Sequence, residues 1–186
     1  MRRIILRLLN APGLVLLAAI AVALQTSLFA WKPISYFQPD FILLFVIWCG
    51  LKRDFFEGGV LTLIIADITE IHSSSPQGLF LISYMAVFLL VRLASKVLVI
   101  PGLSSWITLT LSLSVICRLV GLGIILALGA SRNQWHQTLL TIFPGAVVAG
   151  LCGTFFYKWL EKYDALTFKR GHEQMLETDL QVQNAG

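Results

Sequence analysis

The sequence predicts an all-α polytopic integral membrane protein of about six spans, and three observations carry that expectation. The 186 residues are 57% hydrophobic and only 13% charged, whereas soluble chains hold roughly 45–50% apolar and about 25% charged residues. The apolar residues come in long blocks, not in the short alternating segments of a membrane β-barrel. The basic residues also sort to one side of those blocks. With the amino terminus in the cytoplasm, Arg2, Arg3, Arg7, Lys52, Arg53, Arg92, Lys96, Lys158, Lys162, Lys169 and Arg170 fall on the cytoplasmic side. Lys32 and Arg132 fall opposite and Arg118 lies within a span, which accounts for all 14 basic residues. That asymmetry is the one cytoplasmic loops impose. Both termini are then cytoplasmic, with residues 1–163 as one transmembrane domain and 164–186 as a polar tail expected to be disordered. The net charge of +4 reports topology, not nucleic-acid binding.

The first helix is expected over residues 8–31. Its charged start and the sequence Ala21-Val22-Ala23 resemble a signal peptide, but the apolar run continues to Trp31 and more spans follow, so it reads as an uncleaved helix. Its alanines suit close packing. Lys32-Pro33 ends it. Gln38-Pro39-Asp40 opens the second helix, residues 41–51: proline is favoured near a first helical turn, and an acidic residue there meets the positive end of the dipole. The second helix and the third, residues 58–71, are short for roughly 30 Å of hydrocarbon. A re-entrant hairpin would bury Lys52, Arg53 and Asp54 at its tip, so two short spans joined by a basic cytoplasmic turn fit better.

The fourth helix is expected over residues 78–100, with Arg92 and Lys96 snorkelling to one interface, and Pro101-Gly102 breaks the chain after it. The fifth spans residues 105–130. A polar turn over residues 131–137 leads to the sixth, residues 139–160, with Pro144 early in it. There Ala146, Ala149, Gly150 and Gly153 have the small-residue spacing of a tight helix contact.

Chemistry concentrates in residues 55–81. Glu57 and Glu70 belong at helix ends, in water, which leaves Asp67 as the buried acid of the third helix and Arg118 of the fifth as its candidate partner. The pair would fix helix register, line a polar pocket or contact a partner's helix. Cys49, Cys117 and Cys152 lie in apolar blocks without metal-ligand spacing, so no metal or other cofactor is expected. No nucleophile elbow, phosphate loop or zinc-protease motif occurs, and the chain is not expected to be an enzyme.

Phe37-Gln38-Pro39-Asp40-Phe41, then Leu63-Ile64-Ile65-Ala66-Asp67-Ile68 followed by Ser73 to Pro76 and Gly78-Leu79, resemble the bacterial rod shape-determining protein MreD family in order and spacing. The likeness covers roughly residues 10–162 and is sharpest over residues 37–81. It departs at Leu63, where the family often has glycine, and at Gln77, where it tends to have leucine. The matching residues are Pro39, Asp40, Asp67, Pro76 and Gly78; Arg118 is no part of the motif.

The resemblance implies a non-catalytic scaffold of cell shape and peptidoglycan elongation in the bacterial inner membrane. It would work with a bitopic MreC-like protein, an MreB-like filament, RodA and a penicillin-binding transpeptidase, in contact with membrane lipid. A homodimer is compatible with it. The family is also similar in fold to the substrate-binding subunits of energy-coupling-factor transporters. A vitamin-type binding subunit is therefore the first alternative, and a proton-coupled permease using Asp67 and Glu70 the second. The partner contact is expected near Asp67 to Gly78 and along the small-residue face at residues 146–153.

Overall fold

The structure, a computed structural model, describes residues 9–28, 39–73, 75–97, 103–127, 129 and 132–167. Among them the fold is all-α, without strands, and holds six helices: α1 (Asn10–Leu28), α2 (Phe41–Lys52), α3 (Phe55–Ile71), α4 (Leu79–Val97), α5 (Leu103–Ala127) and α6 (Arg132–Leu166). Asn10–Ser27 and Trp106–Ala127 are long and apolar enough to cross a membrane, and Phe41–Lys52 and Leu79–Ser95 are shorter apolar helices. Trp31, Lys32-Pro33, the Phe37-Gln38 part of the motif, Pro101-Gly102 and the tail beyond Thr167 lie outside the described residues.

The hub is α2. Its residues from Ile42 to Gly50 are all buried, and it touches every other helix. A helix that is apolar all round belongs inside a bundle, so the sequence FILLFVIWCG selects this place for it. Its 12 residues rise only about 18 Å. Asp40 caps its start by accepting the Leu43 N–H at 3.0 Å. Arg92 of α4, expected to snorkel, instead donates to the Gly50 carbonyl at 3.2 Å near the end of α2, where a cation is favourable.

Helix α6 departs from expectation at both ends. It begins at Arg132, so the anticipated turn over residues 131–137 is helical wherever it is described, and Pro144 lies inside the helix. It also runs past residue 163 to Leu166, because Asp164 and Thr167 are tied to the start of α1. The small-residue stripe packs within the chain. Ala146 and Ala149 are buried; a Cβ at Gly153 would press on Thr110 at 3.1 Å with Leu44 at 3.4 Å, and one at Gly150 would lie in ordinary contact with Ile107 and Leu111. The stripe is therefore covered by α5 and α2 and does not offer the partner surface expected at residues 146–153.

Candidate functional site

Three features stand out, one at each end of the bundle and one on its flank. At the end where α1 begins, Arg53 is only 2% exposed. It follows α2 in extended conformation, which turns its side chain into the bundle. The guanidinium donates to Asn10 Oδ1 at 2.7 Å and Asp164 Oδ1 at 2.6 Å, lies 3.7 Å from Glu57, and covers the Trp48 ring at 4.7 Å. Asn10 Nδ2 in turn donates to Asp164 at 2.9 Å and to Thr167 at 2.6 Å. Burial pushes the neighbouring Tyr163 phenol up, Asp164 adds to the rise and Arg53 opposes it. Lys52 reaches Glu161 at 3.8 Å. The turn read as a water-exposed basic loop is thus a clamp joining α1, α2, α3 and α6. Sequence reasoning missed it because a charge count assigns Arg53 to a side, not to a partner 111 residues away.

At the opposite end, the turn between α3 and α4 is held by Glu70. Its carboxylate accepts the backbone N–H groups of Gly78 and, at 3.3 Å, Leu81, satisfying donors that the start of α4 leaves open. Ser73 Oγ accepts the Ser75 N–H at 3.1 Å. Gly78 has φ +87°, a conformation in which a side chain costs roughly 1–2 kcal/mol. Gly78→Ala is therefore expected to lower stability by about that amount, read as a reduced thermal midpoint of the full chain in detergent. Glu70, expected merely to face water, is the residue that orders this turn.

Beside the turn lies a cavity of about 470 Å³ reached by α1, α2, α3, α4 and α5. Its polar lining comes from Gln25 and Thr26, Asp40, Thr69, His72 and Ser73, Ser83 and Tyr84, and Arg118. Tyr84, buried, donates its hydroxyl to both Asp40 carboxylate oxygens at 3.0 and 3.1 Å. The Arg118 charge acts on Asp40 as well. Asp40 thus caps α2, ties α2 to α4 and shares the cavity lining with Arg118.

Asp67 does not join this site. The expected pairing with Arg118 is not what the structure brings together: Arg118 shares the cavity with Asp40, while Asp67 is exposed on the outer face of α3. Of the motif residues, Pro39 is buried just before the α2 cap, and Pro76 is exposed in the turn and accepts the Leu79 N–H at 3.3 Å. Four of the five, Pro39, Asp40, Pro76 and Gly78, therefore gather at this end as elements that start helices.

The flank is the third feature. Phe56, Val60, Ile64, Asp67 and Ile71 are all exposed along α3, at the spacing of one helix face. Ile64 and Ile71, one turn to either side of Asp67, are 41% and 72% exposed. An apolar groove of about 460 Å³, lined by Ala11, Pro12 and Val15 of α1 and Phe56, Val60 and Ile64 of α3, runs beside the stripe. Among the described residues, no group of His, Cys, Asp and Glu has the arrangement of a metal site.

Comparison with protein-family models, with curated proteins and with solved structures found no match to this chain.

Proposed function

We propose that this chain is a multi-pass inner-membrane scaffold of cell shape and wall elongation that docks the transmembrane helix of an MreC-like bitopic protein along α3. The observation that carries the reading is Asp67, exposed between Ile64 and Ile71 on an otherwise apolar stripe. A carboxylate facing lipid is costly, so such residues in membrane helices meet a partner, a cavity or a protein interior. The groove along α1 and α3 gives the stripe a seat wide enough for side chains of a second helix. A hydrogen-bond donor on that helix would satisfy Asp67, and the apolar rows on either side would pack against its remaining face.

On the positive-inside topology, the Arg53 clamp is cytoplasmic and the Asp40–Arg118 cavity faces outward. The MreB-like, RodA and transpeptidase partners rest on the family resemblance and on the cytoplasmic termini of the same topology. Neither alternative gains as much support. Glu70 is engaged in the α3–α4 turn and Asp67 points away from the cavity, so nothing favours a proton path through the two. A small-molecule binding subunit has one observation in its favour, the cavity itself.

The test is co-purification of a tagged MreC-like partner with the full chain. Asp67→Leu is expected to cut recovery roughly five- to thirtyfold, the worth of about 1–2 kcal/mol from one interhelical polar contact. The thermal midpoint should not move, because Asp67 is exposed. Undiminished recovery would remove the docking reading.

A further inference from the structure

We propose that the helix docked along α3 carries one basic side chain, Lys or Arg, set opposite Asp67 toward the outer end of α3. Two turns nearer the cytoplasm it seats a large apolar side chain in the groove beside Val60. This deepens the docking reading and rests on it.

The sign of the partner's charge follows from what is already spent along this face. Glu57, which lines the groove, lies 3.7 Å from the buried Arg53 guanidinium, so its charge is answered within the chain. Asp67 is exposed and, among the described residues, has no hydrogen bond or ion pair. One turn to either side, Leu63, Ile64 and Ile71 are apolar and exposed, and Glu70 is committed to the α3–α4 turn. A helix laid over this face takes water away from the carboxylate. A neutral donor would leave a net charge in apolar surroundings, whereas a cation cancels it. The hydrogen bond it donates is also about twice as strong as a neutral one.

Depth points the same way. Helix α3 runs Phe55–Ile71, so Asp67 stands about 18 Å from its first residue and about 6 Å from its last. On the positive-inside topology that level is in the outer leaflet, near the interface. A basic residue costs less there than at the bilayer centre, because its long stem lets the charge reach the headgroups. Two turns below, Phe56, Val60 and Ile64 meet Ala11, Pro12 and Val15 of α1 around the groove of about 460 Å³. Those walls call for an apolar side chain. A bitopic partner with a cytoplasmic amino terminus runs parallel to α3, which puts that residue about seven positions before the basic one. A second copy of this chain does not fit, since its own α3 would bring another carboxylate to Asp67, and like charges repel.

The test co-expresses the full chain with tagged leucine–alanine host helices of about 20 residues, amino terminus cytoplasmic. Each carries a single Lys, Asn or Leu, moved residue by residue along the span, and recovery of the chain in detergent is measured. Recovery should peak for Lys about 12 residues from the host's cytoplasmic end, the level of Asp67. The peak should stand about fivefold or more above Lys at other levels and above Asn at the same level. Asp67→Leu should flatten it, and Asp67→Lys with Glu in the host at that level should restore recovery, a rescue that a merely structural role would not give. Val60→Trp, which fills the groove and leaves Asp67 in place, should lower recovery about fivefold. An MreC-like partner is measured alongside, with and without Asp67→Leu. If that partner depends on Asp67 while the hosts answer to Asn as well as to Lys, or peak at another level, docking stands and the cation is overturned. If no helix depends on Asp67, both fall. A Lys peak at this level beside an MreC-like partner indifferent to Asp67 would uphold a basic helix on α3 and reassign it to another protein. Self-association of the chain that is lost in Asp67→Leu would overturn the proposal in favour of a second copy.

Discussion

Asp164→Ala is expected to destabilise the fold by about 3–5 kcal/mol, the cost of removing one partner from a buried ion pair. The carboxylate lies 2.6 Å from the Arg53 guanidinium, which is itself only 2% exposed. Its loss also deprives Asn10 of one of its two side-chain acceptors. What remains is a charge buried among α1, α2, α3 and α6, with Glu57 at 3.7 Å as the nearest acid in that cluster. Combining Asp164→Ala with Arg53→Met should lose less than Asp164→Ala alone, because an apolar side chain leaves no buried charge to neutralise. The two variants and the wild type are compared by thermal denaturation of the full chain in detergent. A midpoint unchanged by Asp164→Ala would mean that Arg53 is not held as described.

Trp48→Ala is expected to cost a similar amount, about 3–5 kcal/mol, by opening a cavity at the centre of the bundle. Trp48 is among the largest fully buried side chains and sits in the helix that every other helix touches. Its ring also supports the Arg53 guanidinium, so the same substitution loosens the clamp. Trp48→Phe should recover most of the loss, since the indole N–H has no hydrogen-bond partner in the described residues and only ring area is sacrificed. The same melting series checks this. If Trp48→Phe were as damaging as Trp48→Ala, the indole N–H would have a partner that the packing does not reveal.

The division between what could and could not be read from the sequence follows the range of the interactions. The helix start at Asp40 and the turn around Gly78 depend on residues within a few positions, and Pro39-Asp40 and Pro76-Gln77-Gly78 carry those signals locally. The small-residue spacing of Ala146 to Gly153 correctly implied a tight helix contact, though not that α5 and α2 already fill it. The boundary before α6 was misplaced because the polar run of residues 131–137 looks like a turn, yet it continues as helix wherever it is described. Side-chain partners across the bundle were not legible. Arg53 with Asp164, Tyr84 with Asp40 and Glu70 with Gly78 span 111, 44 and 8 positions, and periodicity says nothing of which helix faces which. Asp67 with Arg118 was the pairing that charge alone suggested. Packing around α2 instead puts Asp40 and Arg118 in the lining of one cavity and turns Asp67 outward.

That outward face of α3 is the centre of the functional proposal, and photo-crosslinking in living cells tests it most directly. A photoreactive side chain is placed at Ile64 in the stripe and, separately, at Leu151, which is exposed on α6. Both positions present an apolar residue to the surroundings, so they differ in which face they report. The expected result is a covalent adduct with the transmembrane helix of an MreC-like protein from Ile64, reduced by Asp67→Leu, and none from Leu151. An adduct from Leu151 alone, or an Ile64 adduct indifferent to Asp67, would contradict docking along α3.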